Sequence, residues 1–367
     1  MPVQKLRPPG RVPPAEHLAR AVQQLVDPGS GSPDERVLVE WPRGGASGVA
    51  LLELLPAELP FDTSGTTGPP TTWWRAGLQL VSEGQLLVET LGLSQVDAVV
   101  TYAPTRHLYG FLFGCVVPAL LGVPVYHVDL GSPLPFVEGR RPLVATLPAA
   151  WWHLKRSGLA LDRFDALTLV HSSAHLPPTA DEVCAGLGRR ARLYELHGST
   201  ETGLVATRVH GEGDVWHLAE DVRLAHTLPP DCEYRLEVRS PRLARRTGEP
   251  RPSRLLMDDL VLTGRQPRTF RLLGRHSRLV KVNGRRVDLG QVEALLLDAV
   301  PDAVLSCEAV RDPLRGEWHE VLVAGGSAEL DAVAEACRRV LLPWQAPRGI
   351  RQVQHTHRTP KERTLLR

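Results

Sequence analysis

Three segments of this chain carry side chains whose types and spacing suit phosphate and carboxylate chemistry. Asp62-Thr63-Ser64-Gly65-Thr66-Thr67-Gly68-Pro69-Pro70 is a Gly/Ser/Thr loop. Such a loop can turn several backbone N–H groups and hydroxyls toward one point, as the oxygens of a phosphate chain require. No Gly-Lys-Ser/Thr ends it, so it is not a Walker loop; taken alone, a surface turn has the same composition. Tyr194-Glu195-Leu196-His197-Gly198-Ser199-Thr200-Glu201-Thr202-Gly203 reads as a strand running into a small-residue turn that carries a hydroxyl and a carboxylate. Open α/β sheets place ligands at that end of a strand, and a carboxylate there can help hold Mg2+ against phosphates. A solvated loop is the plainer alternative. The third segment gathers Asp258-Asp259-Leu260, then Gly274-Arg275-His276-Ser277-Arg278, then a basic run with Lys281, Arg285 and Arg286. Basic side chains offer charge to phosphates and a carboxylate can bind two ribose hydroxyls. Each piece alone would also serve as an exposed basic hairpin with capping aspartates.

The elements that must position these residues follow from hydrophobic periodicity. An amphipathic helix is expected over 15–26 and a strand at VLVEWP (37–42). Helical spacing runs over 82–93 and a buried strand over 97–102. Alternation continues as helix 110–121, strand 123–128, strand 142–146, helix 148–157, strand 167–171, helix 179–187 and strand 192–196. Strands alternating with helices predict a mostly parallel α/β sheet. Near residue 230 the pattern changes to short strands at 232–240, 254–264 and 268–273. RLVKVNGRRVD then predicts a hairpin about Asn283-Gly284. Helix 288–299, strands 304–311 and 319–324, and helix 328–341 complete a small α+β unit. The expected division is 1–276 and 277–367.

Composition sets outer limits. Of 367 residues, 43% are hydrophobic and 23% charged, with a net charge of +2. That is a folded, core-forming chain with no basic field to attract nucleic acid or a membrane surface. Only four of its 43 basic residues are lysines (Lys5, Lys155, Lys281 and Lys361). Five scattered cysteines, never CxxC-spaced, argue against a disulfide framework and for a cytoplasmic protein. The uncharged stretch 108–128 contains Pro118, Pro124 and three glycines, and reads as a buried helix entering a buried strand, not a membrane span.

In this order the three segments resemble the signature of one superfamily. Thr63–Gly68 resembles the TSG(S/T)TG phosphate loop of the acyl- and aryl-adenylating enzymes, which include acyl-CoA synthetases, adenylation domains and luciferases. HGSTETG resembles their YGxTE motif. MDDL with GRHSRLVKVNGRRVDLGQVE resembles their TGD and hinge block, and LPWQAPRGIRQVQHTHRTPKERTLLR resembles their C-terminal ending. The resemblance covers roughly residues 60–367. His107-Leu-Tyr-Gly-Phe111, followed by Pro118-Ala-Leu-Leu-Gly122, is similar to a branch that loads aryl or related acids onto carrier proteins.

The resemblance implies a fold, a reaction and a set of roles. The fold would be a shortened adenylating core with a small, mobile C-terminal domain. The reaction would consume ATP with Mg2+, activate a carboxylic acid as its adenylate, release pyrophosphate, and pass the acyl group to a phosphopantetheine thiol on a carrier protein or CoA. Thr63, Ser64, Gly65, Thr66, Thr67 and Gly68 would cradle the β- and γ-phosphates. His197, with Gly198 and Ser199 beside it, stands where an aromatic residue stacks on adenine. Thr200 would bond the α-phosphate and Glu201 would place Mg2+. Asp259 would bind ribose, and Arg275 ribose or phosphate. Ser172, Ser173 and Ala174 would border adenine and substrate. His107 would stand at the mouth of an acid pocket with Phe111 as candidate lining, although Phe111 would serve equally as core. Lys361 would meet the carboxylate and α-phosphate, where a cation offsets the repulsion of two anions.

Departures from the pattern matter. Thr71 stands where the phosphate loop usually ends in lysine, with Arg75 a possible substitute, and Ser277 replaces the hinge aspartate. Only about sixty residues precede the loop, where larger relatives carry a further subdomain. These features leave room for a ligase using free CoA, for an amine or hydroxyl acceptor, or for a degenerate nucleotide-binding homologue.

Overall fold

A computed structural model describes residues 10–27, 37–63, 71–172, 175–282, 285–312 and 316–353. Ser64–Gly68, Ser173, Ala174 and Lys361 lie outside the described residues.

The chain begins with β1 (Gly10–Val12), α1 (Pro14–Val26) and β2 (Val37–Val39). Pro14 opens the helix where a missing N–H is tolerated, and Leu18, Ala21 and Leu25 form its buried face. Ser47 caps α2 (Gly48–Leu54), its hydroxyl accepting from Ala50 N–H. β3 (Glu58–Thr63) and β4 (Thr71–Ala76) then pair antiparallel, so that Thr63 faces Thr71. The predicted helix at 82–93 is α3 (Gly77–Thr90). It starts five residues early because Gln79 reaches back to Ala76 N–H, a cap that apolar spacing does not register.

β5 (Ala98–Thr101) leads to α4 (Leu108–Phe111), a π-helical turn at Leu112–Val116, α5 (Val117–Leu121) and β6 (Val125–His127). Pro118, with no N–H to donate, sits just past the wider turn. The uncharged stretch is thus core, and among the described residues no helix is long and apolar enough to cross a membrane. The α/β alternation continues through β7 (Pro142–Thr146), α6 (Pro148–Arg156), α7 (Gly158–Leu161), β8 (Leu167–His171), α8 (Thr179–Leu187) and β9 (Ala191–Ser199).

Short strands follow: β10 (Gly203–Val209), β11 (Val215–Leu218), β12 (Arg223–Leu224), β13 (Glu233–Arg239), β14 (Arg245–Arg246), β15 (Leu255–Thr263) and β16 (Thr269–Arg275). The last stretch holds β17 (Leu279–Val282), β18 (Arg285–Asp288), α9 (Leu289–Ala299), β19 (Val304–Asp312), β20 (Gly316–Ala324), α10 (Ser327–Val340) and β21 (Gly349–Val353). Val282 pairs with Arg285; Asn283 and Gly284, about which the hairpin was expected, lie outside the described residues.

The main sheet runs β1-β2-β6-β5-β7-β8-β9-β10-β11-β16-β15-β13-β12. It is parallel from β6 to β9 and antiparallel beyond β9. Side chains alternate between its two faces: Val99, Leu143, Ala145 and Val170 join α1, α3 and α5 in one core, while Ala98, Val100, Val144 and Leu169 join α6 and α8 in another. Burial on both faces explains why these strands read as continuous apolar runs. A third core is built from β17 to α10, with Val280, Val292, Leu305, Val321 and Val333 at its centre.

Candidate active site

The parallel strands β5, β7, β8 and β9 end on one edge of the sheet, and several predicted site residues lie just beyond them. His107 follows β5 and holds the extended backbone position that opens α4. Ser172 follows β8, and its hydroxyl donates to Leu196 O at 3.1 Å, fastening this edge next to His197. His197 to Ser199 form the end of β9. Phe111 does not belong with them. Its ring is 0% exposed and packs edge-on against Phe61 in the main core, as its alternative reading as a core residue expects.

Between β9 and β10 the chain turns through Thr200 and Glu201. Ser199 N–H donates to the Thr202 hydroxyl at 3.0 Å, and Thr202 N–H returns a bond to the Ser199 hydroxyl at 3.3 Å. Ser199 therefore closes the turn. Gly198 permits its tightness, because any Cβ there would collide with the carbonyl of Gly203. The side chains of Thr200 and Glu201 stay half-buried at the tip of this braced loop.

The second cluster comes from strands remote in sequence. Asp259 on β15 pairs in register with Arg275 at the end of β16. Asp259 is buried, while Arg275 is exposed. His197 Nε2 stands 3.7 Å from Asp259 Oδ2, and the His197 side chain is 12% exposed. Its ring lies edge-on to Trp216 and Phe270, with centroids 5.4 and 6.0 Å away. Burial lowers the pKa of His197; nearby Asp259 opposes the shift and Arg275 adds to it. A neutral imidazole is thus favoured, with a buried Nε2 that lacks a hydrogen-bond partner among the described residues. That nitrogen, a buried carboxylate and an exposed guanidinium suit the polar edges of a nucleotide. Glu201 and Thr200 supply the hard oxygen donors that Mg2+ prefers.

At the phosphate hairpin, Thr63 Oγ1 donates to Thr71 O across β3 and β4. Arg75 does not replace the missing lysine. It is 0% exposed and its guanidinium is committed, with Nη2 on Glu83 at 2.5 Å and Nη1 on Thr200 O at 3.0 Å. Glu83, Arg242 and Asp221 complete this buried charge group and escaped the sequence reading. One signal was present: Gln79 and Glu83 lie one turn apart, so they share one face of the helix.

No family model matches the chain. It is 31% identical over 287 residues to a 4-coumarate–CoA ligase of Halorhodospira halophila, covering 78% of this chain and 67% of that protein. A 4-coumarate–CoA ligase of Cereibacter sphaeroides is 27% identical over 247 residues, or 66% of this chain and 54% of that protein. The chain thus spans between about half and two thirds of these relatives. Among solved structures, o-succinylbenzoate CoA synthetase of Bacillus subtilis with its acyl-adenylate intermediate superposes with a TM-score of 0.63 at 16% identity, over 84% of this chain and 67% of that one. At that identity the likeness shows a shared fold.

Proposed function

The chain belongs to the AMP-binding, acyl-CoA synthetase-like superfamily, and from that premise we propose that it is an AMP-forming acid–thiol ligase. A carboxylate oxygen attacks the α-phosphorus of ATP, the bond to the β-phosphate breaks, and pyrophosphate leaves. A thiol sulfur then attacks the acyl carbon, its proton passes to solvent, and AMP departs. The observation that carries this reading is the meeting of His197 with Asp259 at 3.7 Å beside the Thr200–Glu201 turn. It brings together two segments that lie about sixty residues apart in the sequence.

In this reading Asp259 and Arg275 bind the ribose side, His197 and Ser173 border the base, and Thr200 meets the α-phosphate. Glu201 holds Mg2+, which neutralises phosphate charge when bound. Thr63 to Gly68 take the terminal phosphates, Ser172 and Ala174 flank the acid with His107, and Lys361 supplies the cation for the first step. Residues 1–276 would form the core and 277–367 the mobile domain.

The relatives' names support an aryl-substituted acid and CoA as thiol. A carrier protein, to which the His107-Leu-Tyr-Gly similarity points, is the other acceptor in this reading. The deciding experiment is pyrophosphate release with a panel of aryl and short acyl acids. Acid-dependent release with Mg-ATP supports a ligase. No release with any acid, despite intact Mg-ATP binding, leaves a nucleotide-binding homologue.

A further inference from the structure

Behind the Thr200–Glu201 turn lies a group of alternating charge whose three inner members are buried. Arg75 comes from β4, Glu83 from α3, and Arg242 from the segment after β13; Asp221, 30% exposed, closes the outer end on Arg242 at 2.7 Å. Burying such charges is costly, and replacing them with apolar residues is often no worse for stability. Stability alone is therefore a weak reason for the arrangement.

Its hydrogen bonds converge on one object. Arg75 donates to Thr200 O at 3.0 Å, and Glu83 accepts from Leu204 N–H at 2.6 Å. Arg242 donates to Leu204 O at 2.6 Å, and Ala244 N–H donates to Glu201 O at 2.8 Å. Backbone groups on both sides of Glu201 are thus held from behind. Gln79 anchors the same segment, donating to Pro241 O and Leu243 O at 2.8 and 3.0 Å.

We propose that Arg75 is a positioning residue, which ties β4 to the Thr200–Glu201 turn and holds the Glu201 carboxylate where it can accept Mg2+. This rests on the reading of Glu201 as the Mg2+ ligand. The guanidinium fork alone makes the span, because one face takes Glu83 and the other the Thr200 carbonyl. A lysine would keep the buried ion pair with Glu83 and lose the second bond.

The test is calorimetric binding of ATP, with Mg2+ and with EDTA, to wild type, Arg75→Lys, Glu201→Gln and the double variant, alongside thermal unfolding. Wild type should gain about tenfold in ATP affinity from Mg2+. Arg75→Lys and Glu201→Gln should each lose most of that gain while melting close to wild type. The double variant should lose no more than either single, because residues acting through one another are non-additive. Arg75→Met/Glu83→Gln removes the charge pair together, keeps an acceptor for Leu204 N–H, and should lose the gain as well. An undiminished gain in either Arg75 variant, or additive losses in the double variant, would overturn the proposal. A wild type that binds ATP without any Mg2+ effect would instead overturn the role of Glu201, and the coupling with it.

Discussion

Glu201 and His127 show how position decides what a titratable side chain does. Glu201 sits half-buried on a turn braced from behind, so its charge is open to a ligand and its removal should spare the core. Glu201→Gln is expected to lower acid-dependent pyrophosphate release about a hundredfold at limiting Mg2+, the scale of losing one preorganised charge contact. Circular dichroism should be unchanged; unaltered turnover would remove Glu201 from the site. His127 is 4% exposed beneath the π-helical turn, its ring 4.8 Å from that of His17. Burial pushes its pKa down to about 4, with a bond to Gly114 opposing the shift. The unfolded chain takes up this proton near the ordinary histidine value of about 6.5, so acid favours unfolding. Stability should fall by about 2–3 kcal/mol as pH drops from 7 to 4.5. In His127→Gln that part of the loss should disappear, as denaturant titrations at the two pH values would show. An equal acid loss in the variant would assign the effect to other groups.

Among the elements, Gly203 joins the turn to its support. Its φ is +69°, a left-handed conformation that side chains resist. A Cβ there would also stand 2.5 Å from Glu83 Oε2. Gly203→Ala should cost about 2 kcal/mol or more and disturb Mg2+-dependent nucleotide binding together with stability. A variant that melts like wild type would show that the turn relaxes freely. What was legible in the sequence follows the same physics. Buried strands such as Ala98–Thr101 and Leu167–His171 announced themselves through apolar runs. β10 and β11 passed unrecognised, because their mixed polar and apolar residues follow a loop-like turn and give no clean alternation. At the site, motif order pointed to Glu201, Asp259 and Arg275. It could not show that Phe111 is core, that Arg75 is buried, or that Glu83 lies behind the turn. Those facts depend on which face of an element meets which neighbour.

At the scale of the whole molecule, the two proposed steps would share one site, and the hydrogen bonds between the proposed core and the last stretch bear on that. His175 meets Asp288 at 3.0 Å, and Ser277 at the hinge position bonds Asp258 through its hydroxyl. If Lys361 serves only acid activation, Lys361→Ala should abolish adenylate formation by orders of magnitude. It should still transfer the acyl group from a supplied adenylate. Normal activation in the variant would place another cation at the first step. The identity of the acceptor is the last point at which the whole surface matters. Carrier proteins are typically acidic, and their docking is steered by charge and weakened by salt. Here Arg275 is exposed, whereas Arg278 is already neutralised by Glu293. In the proposed reading the acceptor is the small thiol CoA. Acyl transfer should therefore proceed efficiently to CoA, with little change between low and moderate salt beyond the effect on CoA's own phosphates. Transfer to a set of holo carrier proteins, measured in parallel, should be slower. A carrier that outpaces CoA at low salt and loses its advantage as salt rises would reverse the assignment and give the exposed arginine a partner.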